Sequence, residues 1–98
     1  MASIRRAMLK RPGIEKPETF AHFLSKVFRE RRIQKNVTLR TVSQNSGMSA
    51  AFICDFENTV RGIGCDSWAV LCDAIGLDPA KAFEKAFRQF QDAETFNA

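Results

Sequence analysis

Apolar residues recur along this chain at helical spacing and are broken at regular intervals by capping and turn residues. Phe20, Phe23, Leu24, Val27 and Phe28 form one amphipathic stripe, which predicts a first helix from Phe20 to about Ile33. Thr38 is a fitting N-cap for a short second helix, about 38–46. Val42 faces inward on it, and Gly47 closes it in the left-handed conformation that suits glycine. Ser49 caps a third helix, about 49–57, in which Ala50, Ile53 and Phe56 or Glu57 share one side. Trp68, Leu71, Cys72 and Ile75 stripe a fourth, about 66–76, with Gly76 near its end. Asp78 as N-cap and Pro79 at the first helical position open a fifth, about 79–94, where Phe83, Phe87 and Phe90 align. No segment alternates with period two for long enough to make a strand. The pattern predicts an all-α domain of five helices.

Ahead of that domain, taken as 20–98, residues 1–19 combine Pro12, Gly13 and Pro17 with Arg5, Arg6, Lys10, Arg11 and Lys16. They read as a basic N-terminal arm, either laid in a groove of DNA or solvated. Charge is split along the chain. Residues 1–47 hold eleven basic and three acidic residues, a balance of +8, and residues 48–98 hold four and eight, a balance of −4. Such a split suggests one face for a polyanion and another for a different contact. The cluster Arg29, Arg31, Arg32 and Lys35 has two readings: cations favoured by the C-terminal end of a helix dipole, or phosphate contacts.

Several classes are set aside. No run approaches the roughly 20 apolar residues that span a bilayer, and the start has no apolar signal core. The expected location is the cytoplasm, at the nucleoid when bound to DNA. Cys54, Cys65 and Cys72 are odd in number and fit a reducing compartment. They lack metal-ligand spacing, and His22 is the only histidine, so no metal and no cofactor are expected. Neither a catalytic triad order nor a phosphate loop occurs, which argues against an enzyme. The carboxylates Asp55 and Glu57 near Cys54 disfavour a thiolate switch there. No domain for sensing a small molecule is expected.

Two short helices joined by a tight glycine turn, about 38–57, have the layout of a helix-turn-helix. From Phe28 to Leu77, roughly half the chain, the sequence resembles the Cro/phage-repressor (Xre) helix-turn-helix family without a gap. Phe28-Arg29 stand at its Ile-Arg and Arg32 at its second arginine. Val37-Thr38 stand at its Leu-Ser and Val42-Ser43 at its Leu-Ala. Gly47-Met48-Ser49 stand at its Gly-Val-Ser, with Ile53 and Glu57 in register. Trp68, Leu71 and Ile75-Gly76-Leu77 complete the match. The resemblance implies a lambda-repressor-like fold and an ion pair between Arg32 and Glu57.

The sequence departs from that family at three places. Leu39 replaces a glutamine that often touches phosphate, and Thr59 replaces a glycine. The positions that would face the major groove are Ser49, Ala50, Ala51, Phe52 and Asp55. Ala and Phe suit thymine methyls, a serine suits any base, and Asp55 suits a cytosine amino group. Candidate phosphate contacts are Lys35, Thr38, Arg40, Asn58 and Arg61, for which plain solvated surface is the competing reading of Arg40 and Arg61. The expected function is a double-stranded DNA-binding regulator: a repressor on a near-palindromic operator, working as a homodimer and as compact as the regulators of phages and plasmids. Phe83, Phe87 and Phe90 are either its dimer seam or a cap on its own core. The alternative is a protein-interaction module built on the surface around Phe52.

Overall fold

The computed structural model describes residues 19–97, with side chains through Ala93. Five helices and no strand occur among them: α1 Phe20–Gln34, α2 Leu39–Ser46, α3 Ala50–Glu57, α4 Cys65–Ala74 and α5 Pro79–Asn97. The all-α reading of the sequence holds, and every helix start but that of α4, where Gly64 offers no side-chain cap, follows a capping residue. Thr19, Thr38 and Ser49 each accept, through the side-chain oxygen, from the backbone N–H three residues on. Asp78 Oδ1 does the same for Ala80 and Lys81. The ends moved more. α4 stops at Ala74, before Gly76, and α5 runs on to Asn97. The basic arm expected for 1–19 lies outside the described residues except for Thr19, which caps α1.

Four turns among the described residues use left-handed backbone. Gly47 (φ 78°) closes α2, Asn36 (φ 59°) turns the chain between α1 and α2, Gly76 (φ 69°) follows α4, and Thr59 (φ 62°) comes after α3. Gly47 is needed for its φ alone, since a Cβ there would meet nothing within 4 Å.

The core is aromatic and shared by every helix. Phe28, Val42, Ile53, Phe56, Leu71 and Cys72 are essentially sealed from solvent. Phe28, Phe56 and Trp68 meet edge-on or tilted at 5.9–6.4 Å between centroids. The Trp68 indole N–H donates to the Pro79 carbonyl at 3.2 Å, tying α4 to the start of α5. Along α5 the buried small residues Ala82 and Ala86 line the side facing the core.

The Phe83–Phe87–Phe90 stripe divides. Phe90 is 6% exposed and belongs to the core, so its place in a dimer seam is corrected: its ring packs against Phe20 and Phe23. Phe83 and Phe87 remain 45% and 43% exposed, each edge-on to Phe20.

Candidate nucleic-acid interface

The pair α2–α3 with its Gly47 turn forms the helix-turn-helix, and three contacts lock its geometry. Val42 and Ile53 bury against the common core. The Ser43 hydroxyl donates to the Met48 carbonyl across the turn. Arg32, at the end of α1, holds Glu57 at the end of α3 through Nε–Oε2 (2.6 Å) and Nη2–Oε1 (2.9 Å). With the helix fixed, its faces are set. Ile53, Phe56 and Glu57 point inward. Ala50 does not join them, because it opens the helix beyond the edge of the core and stays exposed. Ala51 is exposed beside it, while Phe52, Cys54 and Asp55 are half-buried.

The outer face of α3 therefore carries two methyl groups, one aromatic ring and one carboxylate. It also carries something that the sequence reading did not supply. Arg61 reaches back from the 58–64 loop and lays its guanidinium over the Phe52 ring, Cζ 4.9 Å from the centroid. Its Nε stands 3.8 Å from Asp55 Oδ2, an ion pair beyond hydrogen-bond distance. Arg61 and Asp55 are 52% and 43% exposed. The only sequence signal for this cluster is a pair of opposite charges on either side of a turn.

The turn that delivers Arg61 is built on Thr59. It adopts φ 62°, a conformation that a β-branched residue rarely takes and where the resembling family carries glycine. It is held by its own N–H to the Phe56 carbonyl (3.0 Å) and by its hydroxyl against Ser25 Oγ (3.2 Å). Val60 N–H to Asp55 O, at 2.8 Å, completes it.

The other candidates are placed as follows. Ser49 Oγ accepts from Phe52 N at 3.1 Å as the α3 cap, leaving its proton to donate elsewhere. Thr38 Oγ1 accepts from Thr41 N and meets the Thr41 hydroxyl at 3.0 Å. Arg40 is exposed on α2 and holds no ion pair among the described residues. The Asn58 amide folds back on α3, donating to Cys54 O (3.0 Å) and Sγ (3.3 Å). Lys35, the remaining phosphate candidate, turns toward the chain after α4. Its ammonium lies on the carbonyls of Ile75 (2.7 Å), the C-cap of α4, and of Gly76 (3.3 Å) just beyond it. Burial, with Asp78 adding to it, pushes the Cys72 thiol up to about 12, so it stays protonated. Among the described residues no group of three or more metal-ligating side chains occurs, and no helix is long and apolar enough to cross a membrane.

The same fold occurs in solved regulators. The clp gene regulator ClgR from Corynebacterium glutamicum is similar at 24% identity over 71% of this chain and 91% of that one, with a TM-score of 0.67. A second ClgR structure is 22% identical over 80% of this chain and 83% of that one, with a TM-score of 0.71. The wild-type restriction-modification controller protein C.Esp1396I is 16% identical over 74% of this chain and 95% of that one, with a TM-score of 0.67. Comparison with protein-family profiles and with curated protein sequences yields no match.

Proposed function

We propose that this protein is a non-enzymatic, sequence-specific binder of double-stranded DNA that regulates transcription by occupying an operator as a homodimer. The observation that carries this reading is the rigid α2–α3 unit, which presents the outer face of α3 beside exposed cations. An α-helix fits the major groove, and a face of small side chains allows close approach. Ala50 and Ala51 then meet thymine methyls and Ser49 donates to a base edge. Arg40 and Thr38 contact phosphates, while the Asn58 amide is taken up by Cys54. Phosphate contacts set orientation while base contacts specify. The likeness in fold to ClgR and the controller protein supports a regulatory role. Phe83 and Phe87, apolar and exposed on α5, supply the seam that sets two copies of α3 about 34 Å apart on a near-palindromic site. Repression follows from blocking the promoter.

A protein-docking role for the Phe52 surface is weakened by the same geometry. The ring is half-buried and its outer side carries a guanidinium, so little bare apolar area is on offer.

The test is selection of bound sites from random duplex DNA, followed by titration at several salt concentrations. An enriched inverted repeat, with affinity falling by a slope of about −0.9 per phosphate contacted, is the expected result. Weak binding without enrichment would reduce the protein to a non-specific binder. No binding at all would overturn the DNA reading.

A further inference from the structure

Resting on that DNA reading, we infer that Arg61 reads a guanine in the major groove, with Phe52 as the platform under its guanidinium and Asp55 as the residue that positions it. The helix itself is short of donors: Ala50, Ala51 and Phe52 have none to offer a base. Arg61 supplies them from outside the helix. The backbone bonds Thr59 N–Phe56 O and Val60 N–Asp55 O fold the loop back over the last turn of α3, which places Arg61 above Phe52 and Asp55.

Two side chains three positions apart on α3 converge on one guanidinium. The ring lies under Cζ at 4.9 Å, and the carboxylate stands 3.8 Å from Nε. Nη1 and Nη2 make no hydrogen bond to protein among the described residues. A phosphate contact needs only a positive charge. A guanidinium with a ring beneath it and a carboxylate beside its Nε leaves the Nη1–Nη2 end free for bidentate recognition of guanine O6 and N7. The arrangement also accounts for a carboxylate on a helix that faces a polyanion, because the Arg61 charge offsets that of Asp55. Asp55 then acts through Arg61 instead of reading a cytosine itself.

The experiment is site selection and salt titration with the parent, Arg61→Ala, Arg61→Lys and Asp55→Asn. Both side chains are half-exposed, and thermal melting of each variant shows that it is folded. Arg61→Ala should abolish the preference for guanine at one position per half-site, a loss of roughly 5- to 150-fold in discrimination, with little change in salt slope. Arg61→Lys should keep the salt slope and lose most of that discrimination, with affinity for the parent's site falling by the same factor. Asp55→Asn should weaken preference for the same guanine, and its effect should vanish in the Arg61→Ala background. If Arg61→Ala keeps every base preference while the salt slope falls by about 1, Arg61 is a phosphate contact and the inference is overturned. It is equally overturned if Asp55→Asn alters a different position that Arg61→Ala leaves alone. A parent that enriches no site overturns this inference together with the DNA reading.

Discussion

Arg32 grips Glu57 with one edge of its guanidinium, Nε to Oε2 and Nη2 to Oε1, while its Nη1 donates to the Val37 carbonyl at 2.8 Å. One side chain thus joins the end of α1, the end of α3 and the link into α2. The Glu57 side chain is 4% exposed and that of Arg32 is 13%. Removing one partner strands the other charge out of water. Glu57→Ala should therefore cost about 3–5 kcal/mol in urea unfolding, and Arg32→Met in the same background should add little. A loss under about 1 kcal/mol would reduce the pair to the status of an exposed one.

Lys35 caps a helix that is remote from it in sequence. Its ammonium meets the Ile75 and Gly76 carbonyls, so Lys35→Met should lower stability by about 1–2 kcal/mol. It should leave the salt slope of DNA binding unchanged. A slope reduced by about 1 with stability intact would return Lys35 to the phosphate contacts.

Thr59 balances backbone strain against a hydrogen bond. Left-handed backbone costs a residue with a Cβ about 1–2 kcal/mol, and the contact of its hydroxyl with Ser25 returns about 0.5–1.5 kcal/mol. Thr59→Gly loses both and should change stability little. Thr59→Val keeps the strain without the hydroxyl and should be the less stable variant by about 1 kcal/mol or more. Equal melting temperatures for the two would remove strain from the account.

The α5 phenylalanines should separate by burial. Phe90→Ala empties a core site and should cost about 3–5 kcal/mol. If the proposed dimer forms, Phe83→Lys with Phe87→Lys should leave a folded chain that sediments as a monomer where the parent sediments as a dimer. If the doubly substituted chain sediments as the parent does, the seam lies elsewhere.

Cys72 makes the protein sensitive to alkali. An exposed thiol ionises near 9.0, whereas the buried one holds its proton to about 12. Between those values the unfolded chain binds fewer protons than the folded one, so stability falls as pH rises. Relative to Cys72→Ala, the parent should lose about 1.4 kcal/mol more per pH unit in that window. Parallel curves above pH 9 would show that the thiol ionises freely in the fold.

The sequence by itself determined the number and order of the helices and the starts of those that open on a capping residue. Those features rest on local chemistry: caps at Thr38, Ser49 and Asp78, a left-handed glycine at 47, and apolar residues three and four apart. It also supplied the register that sets Ile53, Phe56 and Glu57 inward, but it grouped Ala50 with them, and Ala50 is exposed because it opens the helix beyond the edge of the core. What only the tertiary structure decided is where long charged side chains end and which faces are covered. Lys35, a phosphate candidate in one dimension, caps α4 from forty residues away. Phe90, one of three equivalent phenylalanines in the stripe, is sealed because α1 brings Phe20 and Phe23 against it. Arg61 joins Phe52 and Asp55 because a strained threonine turns the chain back. Caps and periodicity act within one or two turns of backbone. A lysine or arginine spans several ångströms of flexible stem, so its partner is chosen by whatever carbonyl, ring or carboxylate the packed helices leave within reach.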